Sequence, residues 1–193
     1  MLIATAILAY LLGSVPFGIV FTRIFGLGDL RKIGSGNIGA TNVLRTGSKP
    51  AAILTLVSDV GKGAFAVVLA RLLVGPEAAE IAGFAAFLGH CYPVYLGFRG
   101  GKGVATFLGT TLALVWPVGL AICATWLAVA AITRISSLAA LVAAASSPLY
   151  AIFFGLDAFA VGLGGMALLI FLRHRENIAR LMNGSEPRIG RKP

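Results

Sequence analysis

The sequence contains few charged residues and few groups that bind metals. Only 12% of its 193 residues are charged, and seven of these are acidic, whereas a soluble domain carries about 25% charged residues. Its two histidines and two cysteines form no cluster with the spacing of metal ligands. The cysteines, Cys91 and Cys123, lie in apolar stretches, which excludes a disulfide framework. The sequence therefore predicts neither a metal site nor a disulfide-stabilised fold.

Several catalytic and nucleotide-binding motifs are also missing or incomplete. The fifth residue after each histidine is Tyr95 or Ala179, so the chain lacks the His-x-x-x-x-Asp pair with which many acyltransferases activate a hydroxyl. No Gly-x-Ser-x-Gly nucleophile elbow occurs. Residues 34–39 fit the dinucleotide fingerprint, but apolar runs flank them in place of the strand that this motif requires. Residues 101–102 lack the earlier glycine of a P-loop.

Long apolar runs dominate the chain, and 58% of its residues are hydrophobic. A membrane span needs about 20 apolar residues. A single helix over residues 137–172 would be about 54 Å long, so that run must hold two spans. The sequence therefore predicts an all-α, polytopic integral membrane protein with about seven transmembrane helices, some short or broken, in a single domain over residues 1–193. The apolar runs are 2–25 with a bend at Pro16, 50–74, 78–96, 103–132 broken at Trp116-Pro117, and 137–172 broken at Gly155-Leu156-Asp157.

Basic residues give the predicted orientation. With seven spans they gather at one face, which the positive-inside rule makes cytoplasmic, so the N-terminus lies outside and the C-terminus inside. The net charge of +9 is thus explained by topology, and binding to nucleic acid is not predicted. Residues 103–115 would form a helix of only about 20 Å, so we expect this segment to start partway into the membrane or to cross a thinned bilayer.

Two glycine-rich polar loops interrupt the apolar runs, at residues 34–45 and 97–103. Exposed irregular backbone is costly in lipid, so both loops should lie in an aqueous or protein-enclosed cavity. Bare backbone amides beside Arg or Lys are how proteins hold phosphate or carboxylate groups. The loops therefore predict an anion site at the cytoplasmic face. For either loop alone there is an alternative: the glycines only form turns, and the basic residues only set the orientation of the protein in the membrane.

Other polar residues lie at the ends of the predicted spans or within them. Asp59 and Lys62 share a helix face and are predicted to pair, either to support the loops or to meet a ligand. His90 is either a strut for the neighbouring loop or a ligand contact. Ser136 and Ser137 can cap the next helix and still touch a ligand.

The basic tail carries a further candidate group. His174 has Asn177 one helical turn later and an arginine on each side, which suits contact with an anion. The alternative is that this segment only anchors the protein at the membrane surface. Glu186 can orient a basic group or a polar substrate, or it can be a solvated carboxylate.

Three of these stretches together resemble the motifs of the bacterial acyl-phosphate:glycerol-3-phosphate acyltransferase (PlsY) family. The resemblance also includes Asp59-x-x-Lys62-Gly63 and covers nearly the whole chain. One departure is Ile38, where the family usually has proline, and this should alter loop stiffness more than chemistry. The stretches are GSGNIGATNVLR at 34–45, GHCYPVYLGFRGGKGVAT at 89–106, and HRENIARL at 174–181.

The resemblance implies an enzyme of the bacterial inner membrane with its active site on the cytoplasmic side. It would transfer a fatty acyl group from acyl phosphate to the 1-hydroxyl of sn-glycerol 3-phosphate. The products would be 1-acyl-sn-glycerol 3-phosphate (lysophosphatidic acid) and phosphate, in the first acylation step of phospholipid biosynthesis. The resemblance implies no metal or cofactor, and it implies an acyl-phosphate-producing enzyme as a partner. The alternative from another class is a transporter of phosphate or organophosphate.

Residue chemistry and the resemblance together assign the site. Lys102, His174 and Ser35 are predicted to act in catalysis, while Asp59 and Lys62 support the loops. The general base stays open between His174 and a phosphate oxygen of the donor. The residues predicted to bind substrate or phosphate are Ser35, Gly36, Asn37, Thr41, Asn42, Arg45, His90, Gly101, Lys102, Ser137, His174, Asn177 and Glu186.

Overall fold

The computed structural model describes residues 1–190, and every regular element in that range is a helix. The chain forms two compact units, Met1–Leu114 and a second unit that begins at Val115. The single domain expected over 1–193 stays a prediction. The first unit contains α1 (Leu2–Gly13), α2 (Phe17–Ile24), α3 (Ala40–Leu44), α4 (Lys49–Leu73), α5 (Pro76–Cys91) and α6 (Val104–Leu114). The second contains α7 (Trp116–Thr133), α8 (Ser136–Phe153), α9 (Ala160–Arg173) and α10 (Arg175–Met182).

Helices occupy every place where the sequence predicts a span. Within the described residues, four are long and apolar enough to cross a membrane when α1 and α2 count as one, namely Leu2–Ile24, α4, α7 and α8. Asp157–Arg173 and α10, which are bent by 65° relative to each other, make a fifth when this pair is counted as one span. Two shorter helices occupy the other places: α6 has 11 residues and is apolar, and α5 has 16 residues. The predicted all-α, polytopic class with short and broken helices is confirmed.

The predicted breaks are present, and one predicted boundary is wrong. The first span breaks between Gly13 and Phe17, around Pro16, and the run 137–172 is divided between α8 and α9. The third span was expected to continue to residue 96, but α5 ends at Cys91. Tyr92 precedes Pro93, and a residue before proline is disfavoured in helical conformation. The following residues, Val94–Leu96, form a short 3-10 turn instead.

Glycines allow very close helix packing in the first unit. A Cβ atom on Gly13 of α1 would lie 2.1 Å from the backbone oxygen of Ala86 on α5. A Cβ on Gly109 of α6 would lie 2.0 Å from the backbone oxygen of Val60 on α4. Small residues at membrane helix interfaces let backbones approach in this way, which gains dispersion contacts. The short α6 is also held at its end, where Arg71 donates to the carbonyls of residues 113 and 114 at 3.0 and 3.1 Å.

Gly13→Ala should destabilise the protein, whereas Gly61→Ala should not. The methyl group added at position 13 would clash with the backbone of Ala86, so we expect a loss of about 1–3 kcal/mol in the free energy of unfolding. Gly61 lies within α4, and a Cβ added there would have no neighbouring atom within 4 Å, so alanine should gain about 0.5–1 kcal/mol from helix preference. Thermal unfolding of both variants in detergent micelles measures this difference. Equal shifts would mean that α1 and α5 are not in backbone contact at Gly13.

In the second unit, α8 packs against both α7 and α9. The hydroxyls of Thr125 on α7 and Tyr150 on α8 lie 2.7 Å apart. After α10 the chain returns to the turn between α7 and α8, because the Ile189 amide donates to the Arg134 carbonyl at 2.7 Å. This return brings the tail segment around residue 186 to the start of α8.

Candidate functional site

The first glycine-rich loop is folded around the side chain of Asn42, which is only 2% exposed. Its Nδ2 donates to the carbonyls of Leu30, Ile33 and Asn37 at 3.1, 2.9 and 2.8 Å. Its Oδ1 accepts from the backbone amide of Ser35 at 3.1 Å. Asn42 therefore shapes the loop from within and fixes the position of Ser35.

Arg45 closes over the same loop from the end of α3. Its Nη1 donates to Asn42 Oδ1 at 3.4 Å, and its side chain is half-buried. Gly34 has a φ of 54°, and a Cβ there would lie 2.7 Å from Arg45 Cδ. Glycine at this position thus allows both the left-handed turn and the close approach of the arginine. Ser35 and Thr41 are exposed at the surface of this loop.

The second glycine-rich loop packs against the end of α5. The Gly101 amide donates to the His90 carbonyl at 3.0 Å. A Cβ on Gly101 would lie 2.1 Å from His90 Nε2, and one on Gly103 would lie 2.3 Å from the ring of Phe87. These glycines let the loop lie flat on the helix end and leave Lys102 half-buried between them.

A buried charged cluster lies under this second loop. Asp59 Oδ1 is 2.8 Å from Lys62 Nζ and 3.5 Å from His90 Nδ1, and none of the three side chains is more than 4% exposed. Lys62 also donates to the carbonyl of Val15 at 2.9 Å. Asp59 and Lys62 do pair, as the sequence predicts. His90 faces this pair, and its predicted contact with substrate stays a prediction.

In the second unit, the carboxylate of Glu186 gathers three side chains. Its Oε1 accepts from Ser137 Oγ at 2.7 Å and from Asn177 Nδ2 at 2.5 Å, while its Oε2 accepts from Arg180 Nε at 2.7 Å. The Glu186 side chain is 7% exposed, so the alternative of a solvated tail carboxylate is wrong. The predicted cap by Ser136 or Ser137 is wrong, because the cap residue of α8 is Ile135 and the Ser137 hydroxyl donates to Glu186.

These contacts keep Glu186 ionised. Burial by itself raises the pKa of this carboxyl, but the hydrogen bonds from Ser137, Asn177 and Arg180 outweigh it, so the pKa of Glu186 lies below its ordinary value. A charged carboxylate can only accept hydrogen bonds, so the hydroxyl proton of Ser137 and an N–H of the Asn177 amide point toward it. The Asn177 amide oxygen and the Ser137 oxygen can then accept from other donors.

His174 lies at the bend between α9 and α10 and is 3% exposed. Its Nδ1 is 2.8 Å from the carbonyl oxygen of Ile170. A carbonyl only accepts, so Nδ1 carries the proton and a neutral ring has its lone pair on Nε2. The bend thus determines the tautomer of a histidine that the sequence predicts to be catalytic.

Two features of the structure were not predicted. The first is the contact of Arg180 with Glu186. Arg180 is basic and lies three residues after Asn177, and this spacing is the signal in the sequence that indicates it. A half-open cleft of about 400 Å³ lies between α2 and the short turn Leu30–Lys32. The cleft is lined by none of the predicted site residues, so the loops and the buried cluster, which hold the groups capable of chemistry, mark the first unit's candidate site better.

Comparisons with known proteins identify the family of the chain. Residues 3–184 match the family described as glycerol-3-phosphate acyltransferase. The chain belongs to this family. The glycerol-3-phosphate acyltransferase of Jannaschia sp. (strain CCS1) is 70% identical over 187 residues, which cover 97% of this chain and 92% of the relative. That of Cereibacter sphaeroides (strain ATCC 17025 / ATH 2.4.3) is 66% identical over 191 residues, 99% of this chain and 91% of the relative.

Two solved structures are similar to this family member over nearly its full length. They are crystal structures of PlsY, an integral membrane glycerol 3-phosphate acyltransferase. The glycerol 3-phosphate form has a TM-score of 0.92 and 40% identity, and covers 98% of this chain and 96% of that chain. The lysophosphatidic acid form has a TM-score of 0.90 and 39% identity, with 98% and 95% covered. The chain is therefore an integral membrane glycerol-3-phosphate acyltransferase.

Proposed function

We propose that this acyltransferase takes its acyl group from acyl phosphate and gives lysophosphatidic acid and inorganic phosphate as products. The observation that carries the proposal is the similarity, over nearly the whole chain, to an enzyme solved in glycerol 3-phosphate and lysophosphatidic acid forms. The two glycine-rich loops support a phosphorylated donor, because each combines backbone amides with a half-buried cation, Arg45 or Lys102.

The proposed reaction needs no acyl-enzyme. The 1-hydroxyl oxygen of glycerol 3-phosphate attacks the carbonyl carbon of acyl phosphate and forms the new ester bond. The bond between that carbon and the bridging phosphate oxygen breaks, and the electron pair leaves with phosphate. Acyl phosphate is a mixed anhydride with a good leaving group, so alignment of the two substrates and stabilisation of developing charge can supply most of the rate.

In the first unit, we assign phosphate binding to Arg45 and Lys102, with Lys102 next to the departing phosphate. The exposed hydroxyls of Ser35 and Thr41 and the amides around Gly36 and Gly101 offer neutral donors. Asn42 holds Ser35 and Arg45 in place through the bonds described above. Asn37 is half-buried in the same loop and is assigned to phosphate as a further donor.

In the second unit, we assign His174 to glycerol 3-phosphate or to the donor phosphate, and Ser137 and Asn177, whose oxygens can still accept, to the hydroxyls of glycerol 3-phosphate. Glu186 orients Ser137 and Asn177 through its carboxylate. This role accounts for a buried carboxylate among groups that should bind substrate, since the charge of Glu186 is matched by Arg180 at 2.7 Å.

Two groups can accept the proton of the attacking hydroxyl: His174 Nε2 and an oxygen of the donor phosphate. His174→Ala separates them. If His174 is the base, kcat should fall by about a hundredfold or more, and the variant should lose the acidic limb of the pH–rate profile. A variant that retains most of its turnover assigns the proton to the donor phosphate.

The proposed location is the bacterial inner membrane with the catalytic groups on the cytoplasmic side. The basic residues of the loops and tail support this orientation through the positive-inside rule. The acyl donor is itself a lipid, which suits an enzyme within the membrane. The proposed partner is an enzyme that produces acyl phosphate. A Ser185→Cys variant labelled with an impermeant thiol reagent tests this orientation. The reagent should label residue 185 in inverted vesicles, whose cytoplasmic face is outside. Labelling only in vesicles with the native outside-out orientation would contradict it.

The activity is tested with purified protein in phospholipid vesicles. Palmitoyl phosphate and labelled glycerol 3-phosphate should give lysophosphatidic acid and inorganic phosphate in equal amounts. Palmitoyl coenzyme A is the matched donor control and should give no product. Product formed only from the thioester would overturn the proposed donor, and labelled substrate that enters the vesicles without acylation would indicate a transporter.

A further inference from the structure

The buried cluster of Asp59, Lys62 and His90 lies directly behind the loop that carries Lys102. Its side chains are 2–4% exposed. Taking charges out of water is costly, and a buried ion pair is often no more stabilising than apolar side chains of the same volume. A contribution to stability is therefore a weak explanation for this cluster, and its contacts indicate a different role.

Lys62 fixes one end of the cluster. Its ammonium group donates to the carbonyl of Val15, at the break between α1 and α2, at 2.9 Å. It also lies 5.6 Å from the centre of the Phe17 ring. With the ammonium held by the break and by the 2.8 Å contact to Asp59 Oδ1, the carboxylate has a defined position in the protein core.

His90 connects this carboxylate to the second glycine-rich loop. Its Nδ1 faces Asp59 Oδ1 at 3.5 Å. The opposite edge of the ring packs on Gly101, where a Cβ would lie 2.1 Å from Nε2. The backbone of His90 also holds Gly101, since its carbonyl accepts from the Gly101 amide at 3.0 Å. The imidazole and the Gly101 backbone are therefore in direct contact next to Lys102.

We infer that Asp59 and His90 are positioning residues for Lys102. Asp59 sets the orientation of the imidazole, and the imidazole sets the position of the Gly101 backbone and hence of the Lys102 side chain. The inference rests on the proposed function, in which Lys102 meets the departing phosphate. A displacement of about 1 Å at a reacting group can cost about a hundredfold in rate, so an exact position of this loop has a direct effect on turnover.

The inference is tested by a double-mutant cycle on His90→Ala and Gly101→Ala. His90→Ala removes the support of the loop, and Gly101→Ala pushes the loop away from the ring. Each should lower kcat by about tenfold or more, with the KM for glycerol 3-phosphate changed by less than about threefold. In the double variant the new methyl occupies space that the ring has left, so kcat should be at least that of Gly101→Ala alone. Independent effects would multiply to about a hundredfold loss and would overturn the inference.

Two further variants separate positioning from loss of fold. Thr55→Val is the matched control, since Thr55 is fully buried one turn before Asp59 on α4 and its hydroxyl donates only locally, to the Ala51 carbonyl at 2.8 Å. This variant should keep wild-type kcat. His90→Asn keeps a nitrogen near the place of Nδ1 but does not reach Gly101, so it should lose kcat as His90→Ala does. A Thr55→Val variant as impaired as His90→Ala would show that any change in this core is harmful and would contradict a specific role.

A second measurement does not depend on the activity. In a Lys102→Cys background, the rate of maleimide labelling at residue 102, scored by mass spectrometry, reports where this residue lies. His90→Ala should change that rate several-fold, and the added Gly101→Ala should bring it back toward the starting value. An unchanged rate would overturn the inference. If the wild-type protein made no lysophosphatidic acid from acyl phosphate, the proposed function would fail, while the labelling result would still decide the positioning role.

Discussion

Lys102→Met should lower kcat with acyl phosphate by about a thousandfold. Removing one preorganised group that stabilises transition-state charge costs about 10²–10³ in rate, and the loss of a full charge beside a departing phosphate belongs at the upper end. Methionine keeps a long flexible side chain, so the half-buried position of Lys102 remains filled. Rates of lysophosphatidic acid formation at saturating substrate measure the effect.

Arg99→Met is the matched control for this prediction. Arg99 is a cation of the same loop, but it is exposed and is assigned no role in binding. Its loss should change kcat by less than about threefold, as expected for a surface charge in salt solution. If both variants lost activity to the same extent, the general positive charge of the loop would matter, and the specific assignment of Lys102 would be wrong. A Lys102→Met variant with more than about a tenth of wild-type kcat would also contradict it.

Glu186→Gln should lower kcat/KM for glycerol 3-phosphate by about a hundredfold. The carboxylate accepts from three donors on Ser137, Asn177 and Arg180, and the amide of glutamine would set an N–H against one of them. A loss of about 2–3 kcal/mol is reasonable, because hydrogen bonds to charged groups are worth about 1.5–3 kcal/mol. Glu176→Gln on the exposed side of α10 is the control and should be close to wild type. Equal activity of the two variants would exclude an orienting role for Glu186.

The same variant should change the dependence of stability on pH. The pKa of Glu186 is held below its ordinary value of 4.5 in the folded protein. The unfolded state therefore binds the proton more readily, so the stabilisation is complete above the ordinary pKa and is lost as pH falls through the folded pKa. The difference in Tm between wild type and Glu186→Gln should thus be constant above about pH 5.5 and shrink at lower pH. A difference that grew on acidification would contradict the assigned contacts.

Local features of the sequence account for most of the helices. Pro16, Trp116-Pro117 and Gly155 mark breaks that the structure contains, because proline removes a backbone donor and glycine allows the left-handed turn. The end of α5 at Cys91 was missed since apolar composition continues to residue 96. The restriction before Pro93 was a readable signal there, and it outweighed the apolar pattern.

The partners of the polar residues depended on contacts between distant parts of the chain. Asn42 and Arg45 were predicted to meet a ligand, and the structure adds that Asn42 also binds three carbonyls of its own loop. Glu186 was predicted to orient a basic or polar group, but its contact with Ser137, 49 residues away, follows from the return of the tail to Arg134. Side-chain chemistry identifies such residues as candidates, while the path of the backbone decides which of them meet.

By itself, the sequence determined the membrane class and the places of the helices, because hydrophobicity and turn chemistry act locally along the chain, and it predicts which polar residues bind phosphate. Only the tertiary structure decided that His90 faces the Asp59–Lys62 pair, and that Gly101 lies against the His90 ring. These contacts join three segments of the first unit, and their distances arise from helix packing through glycine, which no local pattern specifies.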